Sequence, residues 1–282
     1  MRRTSAAPAL FLAAVALTGC ADSTDQGKPA ESAQPTTQSP QPAPAPRTAA
    51  DLLARAEEAM TRQKGWTFTV RGREGLLLQG QENAATYTAT VHRTTGAAWA
   101  LHSTGATLSK GVREPEEIYV AEGTAYVKKG TAVWEHGPLD DPEFANKVED
   151  PLAALDAFQE YGDEVTVSAV QGHVELRVRI PSARLSDSRH RPALAKAARE
   201  FRPTLDRLRD AGVAASERDI VLNRLEEVLV LDAATFRITS HRFAFGFLIP
   251  YQGQRVTYRQ EVSEQNRGVF EGTVARPAGV TD

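Results

Sequence analysis

Apolar and polar residues alternate with a period of two over several stretches of the chain. Trp66, Phe68 and Val70 face one way, and Thr67, Thr69 and Arg71 the other. Tyr87, Ala89 and Val91 interleave with Thr86, Thr88 and Thr90, and Val174, Leu176, Val178 and Ile180 interleave with His173, Glu175, Arg177 and Arg179. Successive side chains of a strand point to opposite faces, so these segments predict an antiparallel sheet with one apolar and one wet face. Further strands are expected near 97–103, 117–121, 125–129, 164–170, 225–231, 235–248 and 254–263. Within the segment 235–248, Phe243, Phe245 and Phe247 share one parity, continued by Ile249, whereas Phe236 and Ile238 have the other. That switch predicts a bulge, or a strand apolar on both faces.

Helical periodicity appears in three places. Leu52, Leu53, Ala56 and Met60 form a stripe, with a capping-box-like pair in Thr48 and Asp51 and a stop at Gly65. Asp150-Pro151 reads as an N-cap and first helical residue, followed by a Leu152, Leu155, Phe158 face and an end at Gly162. Residues 187–213 predict two short helices, started by Pro192 and by Pro203. A sheet that is apolar on one face must cover that face. The expected fold is therefore α+β: a curved antiparallel half-barrel sheet of about ten strands with helices packed on its concave apolar face. Three or four short helices would leave part of the concavity open as an apolar cavity.

Ahead of this lies a different kind of sequence. Arg2 and Arg3 precede an apolar run from Ala9 to Leu17 that is too short to span a bilayer, and Leu17-Thr18-Gly19-Cys20 closes it. This ending resembles a bacterial lipobox, in which the cysteine thiol takes a diacylglyceryl group and the chain is cut before it. An ordinary secretory signal that happens to end near a cysteine is the alternative. Cys20 is the only cysteine, so neither an internal disulfide nor a thiolate metal cluster can form. Residues 21–47 contain no Val, Ile, Leu, Met or aromatic residue and hold six of the sixteen prolines. Such a segment has nothing to bury, and as a flexible coil it reaches roughly 30 Å. The expected organisation is a signal peptide at 1–19, a lipid-anchored linker at 20–47 and a half-barrel domain at 48–282. The expected location is the extracytoplasmic face of the cell membrane. Without residues 1–19 the net charge is −5, from 31 basic and 36 acidic residues, which argues against nucleic acid as a partner.

Four features together resemble the LolA-like superfamily and, within it, the LppX/LprG-type lipoproteins of actinobacteria. They are the lipobox, linker and first helix running into Trp66-Thr-Phe-Thr-Val70; the hairpin Gly123-Thr-Ala-Tyr-Val-Lys-Lys-Gly130 closing on Trp134; the segment Asp150-Pro-Leu-Ala-Ala-Leu155; and the late strand Val228-Leu-Val-Leu-Asp232 followed by Thr235. The resemblance implies a half-barrel closed by helices. It also implies, for several members, a lipid held or shuttled in the apolar cavity, while related domains bind partner proteins.

Candidate chemistry narrows the choice. There is no G-x-S-x-G, H-E-x-x-H, P-loop or EF-hand pattern, and the six histidines show no metal-ligand spacing. No cofactor and no enzyme activity are expected, with a composite site assembled by the fold as the open alternative. Trp66, Phe68, Tyr87, Trp99, Phe243, Phe245 and Phe247 are the candidate cavity lining, or else ordinary core. Residues 135–164 carry ten acids against Lys147, and residues 184–210 carry eight bases against four acids. These are either a docking face and a contact for anionic lipid headgroups, or solvated helix faces that attract each other. Two functions follow: binding of a lipid or other amphiphile for carriage or sensing, and interaction with an envelope protein through a charged surface around a filled core.

Overall fold

The computed structural model describes residues 48–280. The leader, Cys20 and the linker expected at 1–47 lie outside the described residues. The first described element, α1 (Ala49–Thr61), starts at the expected box. The Thr48 hydroxyl accepts from the Asp51 amide at 3.1 Å, and the Asp51 carboxylate accepts from the Thr48 amide at 3.2 Å. This satisfies two donors that a helix start would otherwise leave unpaired. Leu52, Leu53, Ala56 and Met60 are all buried. Gly65 is not the stop. It opens the first strand, where a Cβ would meet the Arg93 carbonyl oxygen at 2.7 Å.

Twelve antiparallel strands make one open sheet. Six strands follow one another as a meander: β1 (Gly65–Leu78), β2 (Gln81–Thr94), β3 (Leu101–Ser109), β4 (Val112–Ala121), β5 (Thr124–Lys129) and β6 (Glu135–Pro138). The other half contains β7 (Thr166–Val170), β8 (His173–Ile180), the short β9 (Ala183–Arg184), β10 (Val221–Asp232), β11 (Ile238–Tyr251) and β12 (Gln254–Val269). The halves join where β1 pairs with β12, and β6 and β7 remain as the outer edges. The chain must therefore travel from one edge of the sheet to the other between β6 and β7. It does so through α2 (Pro142–Ala145) and α3 (Ala153–Tyr161), and α3 lays Ala154, Leu155, Phe158 and Tyr161 into the core. Topology thus supplies the helical cover that a one-sided apolar sheet needs, and the sheet curves around it as a half-barrel.

Two further helix boundaries differ from expectation. Asp150 does not cap α3, which begins at Ala153. Its carboxylate instead accepts from the Leu152 amide and from both Arg93 Nε and a terminal nitrogen, each at 3.1 Å. A bidentate guanidinium pair outcompetes a cap here. Residues 187–213 hold one 19-residue helix, α4 (Pro192–Asp210), with Pro203 inside it. The buried stripe Leu194, Ala197, Ala198, Phe201, Leu205 runs on past Pro203, and its burial on both sides offsets the one lost hydrogen bond.

The parity switch near Phe236 resolves as the bulge. Phe236 sits in a turn with φ of 58°, and the register of β10 against β11 shifts where Leu231 faces Ile238 and Val230 faces Ser240. The extra residue, Thr239, lets Ile238 share the inner face with His241, Phe243, Phe245, Phe247 and Ile249, all buried.

Candidate functional site

Alternation assigns each strand residue to the concave or convex face, and not every inward position is apolar. Glu227 shares its parity with Leu225, Leu229 and Leu231, His241 with Phe243, and Glu264 with Tyr258 and Val262. All three are buried. His241 Nε2 lies 2.8 Å from Glu227 and its Nδ1 lies 2.9 Å from Glu264. Ionised carboxylates only accept, so both ring nitrogens must donate and the imidazole is a cation. Burial alone would push His241 down, but the two carboxylates more than reverse this and raise it to about 9.

Glu227 also accepts from the Tyr161 hydroxyl of α3 at 2.6 Å and from Lys196 Nζ of α4 at 2.7 Å. Burial would raise its carboxyl, yet His241 and Lys196 hold it down at about 2. The Tyr161 hydroxyl is pushed far up, first by burial and then by the charge of Glu227. Two acids and two cations balance in this group, and one carboxylate fastens both covering helices to the sheet. Lys196 also lies over the Phe243 ring, 4.4 Å from its centre.

Glu149 stands outside that balance. Its carboxyl is raised to about 8, by burial and then by the neighbouring charges of Glu264 and Glu200. It lines a hollow of about 290 Å³ on the concave face, with Tyr87, Glu116, Lys129, Lys147 and Gln260 around it. A second hollow of about 340 Å³ adjoins the first, sharing Glu74 and Ala85, and is lined further by Leu76 and by Leu208 of α4. At the junction the Glu74 carboxylate accepts from the Thr204 hydroxyl at 2.6 Å. Together the hollows form a trough on the concave side of β1 and β2, bordered by α4. Charged and amide groups line the first hollow, and the second sets Leu76, Leu208, Ala84 and Ala85 beside Glu74, Asn83, Thr204 and Arg207.

Six of the seven expected lining residues lie on strands of the sheet, and Trp99 lies in the loop between β2 and β3, outside both hollows. Trp66 and Phe68 are fully buried under α1, where the Trp66 ring nitrogen donates to the Met60 carbonyl at 2.8 Å. Tyr87 lines the trough. Trp99 carries the Arg93 guanidinium on its face at 4.5 Å. Phe243, Phe245 and Phe247 form a chain of rings 5.1 and 5.7 Å apart. Phe201 of α4 stacks on Phe247 at 4.7 Å and leans on Tyr258 at 4.8 Å. These rings pack on each other and on α4.

The acidic 135–164 segment and the basic 184–210 segment touch through the Arg191–Glu164 pair at 3.0 Å, while Lys147 pairs with Glu135 within the acidic one. Among the described residues no group of three or more His, Cys, Asp or Glu is placed to hold a metal ion. No described helix is long and apolar enough to cross a membrane.

The chain matches no protein-family model and no curated protein sequence. Among solved structures it is similar to LprF from Mycobacterium bovis, at 15% identity, covering 81% of this chain and 96% of that one, with a TM-score of 0.34. It is also similar to the LolA superfamily protein NE2245 from Nitrosomonas europaea (9% identity, 80% and 96% covered, TM-score 0.28). A third likeness is to Rv2717c from M. tuberculosis (12%, 76% and 98%, TM-score 0.23).

Proposed function

We propose that this is a non-enzymatic extracytoplasmic lipoprotein, tethered to the membrane through Cys20, that binds an amphiphile in the concave trough for carriage or sensing. The observation that carries this reading is the mixed lining of the trough, in which polar groups of both hollows stand beside a short apolar stretch in the second. Glu149, Lys129, Lys147 and Gln260 suit a polar headgroup, and Leu76 and Leu208 suit the start of an apolar chain. The buried ionic group beside it supports the same reading. Buried charges add little stability over an apolar core, and groups with strongly shifted titration cluster at functional sites. The test is uptake of a fluorescent fatty-acid probe by the wild type and by Leu208→Glu. A half-buried leucine at a helix end tolerates the change, so the fold should persist while probe uptake falls at least about fivefold. Probe uptake that ignores Leu208→Glu would reject the trough.

A second reading rests on the ring packing of Phe201, Phe243, Phe245, Phe247 and Tyr258, which fills the covered half of the concavity. A protein with no uptake at all would fit an envelope interaction module working through its surface.

A further inference from the structure

We propose that the convex face of the sheet carries a second binding site, a groove in which Arg224 and Arg259 hold a phosphate group above Gly246. The groove has a volume of about 650 Å³, and its Arg73, Arg224, Arg242, Gly246 and Arg259 have the parity opposite to the inward-facing Glu74, Leu225, Phe245 and Tyr258, which places them on the convex face. It is built by register. Gly75 of β1, Arg259 of β12, Gly246 of β11 and Arg224 of β10 stand in one row across four adjacent strands. A Cβ at Gly246 would come within 2.8 Å of the Tyr258 carbonyl oxygen, so close strand approach requires glycine and leaves the floor bare. With strands about 4.8 Å apart, Arg224 and Arg259 rise about 10 Å apart on either side of that bare position. This spacing accepts a phosphate with a hydrogen bond from each side. A carboxylate has a single plane for such contacts, whereas a phosphate offers oxygens in several directions.

Charge supports the assignment. In the next row Glu226 is shared by Arg177, Arg179, Arg224 and Arg242, at 3.0, 2.7, 2.6 and 3.5 Å. Arg242 also pairs with Glu261 at 2.8 Å, Arg73 with Glu82 at 2.8 Å, and Arg177 with Glu175 at 2.6 Å. With Arg259, six guanidiniums thus face four carboxylates. Burial would raise Glu226, but hydrogen bonds from Arg179 and Arg224 hold it below the usual range. Arg259 is the cation left over. Both of its cross-strand neighbours are glycines, Glu261 on its own strand is taken by Arg242, and among the described residues it has no ion pair. A guanidinium with room beside it and nothing to pair with is what an incoming anion needs.

The phosphate could belong to a soluble ligand or to a lipid headgroup, and two probes separate these. Inorganic pyrophosphate is titrated into the full chain carrying Cys20→Ser, which prevents lipid attachment. The same chain is sedimented with phosphatidylglycerol-containing phosphatidylcholine vesicles. We expect at least one probe to bind and Arg259→Gln to weaken it about tenfold or more, as loss of a charge-assisted contact does. Arg113→Gln, the same charge change on an exposed part of β4, should leave binding within about twofold, and the melting temperature of Arg259→Gln should stay at the wild-type value. Pyrophosphate binding alone assigns a soluble ligand, and vesicle binding alone assigns a headgroup. Binding of neither probe overturns the proposal, as does equal weakening by Arg113→Gln and Arg259→Gln.

Discussion

Glu227→Gln is the substitution that most directly probes how the helices are fastened over the sheet. The side chain is fully buried and accepts three hydrogen bonds between 2.6 and 2.8 Å, from Tyr161, Lys196 and His241. Glutamine keeps the volume, so no cavity contributes. What is lost is one of two negative charges facing two cations. Removing one partner from a buried ionic group costs about 3–5 kcal/mol. Lys196 retains 18% exposure and can turn outward, which places the expected loss near the lower figure, about 3 kcal/mol. Urea unfolding at pH 7 measures it.

The pH dependence gives a second reading of the same change. His241 is raised in the folded protein from 6.5 to about 9, so its contribution is complete below pH 6.5 and is lost as pH rises through 9. Glu227 is depressed to about 2, so its contribution is present above 4.5 and is lost only as pH falls through 2. Glutamine at 227 leaves His241 with one carboxylate, and the alkaline loss of stability should begin at lower pH. A cost below about 1 kcal/mol with an unchanged alkaline limb would refute this account of the network.

Two further outcomes follow from the structure and the sequence. Glu149 is raised in the folded protein, so its ionisation withdraws stability as pH climbs from 4.5 through about 8. The stability difference between Glu149→Gln and wild type should therefore move in favour of the variant across that range in thermal melts, and a flat difference would contradict it. Cys20→Ala should shift the protein from the membrane fraction to the medium, and equal membrane retention after a carbonate wash would count against the anchor.

Much of the sheet was legible because strand alternation is a local signal. Trp66, Phe68 and Val70, and likewise Val174 to Ile180, face the side their spacing assigns, and the bulge at Thr239 was legible in the parity of Ile238 against Phe243. The helix boundaries were less so. Asp150 and Pro203 have strong local preferences, and a bidentate partner 57 residues away and a buried stripe on both sides of Pro203 override them.

The polar group inside the concavity was missed, although a signal existed. Glu227, His241 and Glu264 each occupy an inward parity among apolar residues, and a charge at such a position needs a buried partner. Which partners meet could not be read, because Tyr161, Lys196 and Glu227 are joined only by the folding of two helices across the sheet. The aromatic set was readable as inward-facing, but its packing depends on Phe201, whose place over Phe247 is fixed by the unbroken α4.

The claim that the trough receives an amphiphile is tested most directly by what the protein carries when isolated. Organic extracts of the natively purified protein, released from the membrane without delipidating detergent, are weighed by mass spectrometry against protein amount. The account predicts a single class of amphiphile at near-stoichiometric amount, reduced several-fold in Leu208→Glu purified alongside. Wild type and Leu208→Glu yielding the same trace mixture of bulk membrane lipid would contradict it.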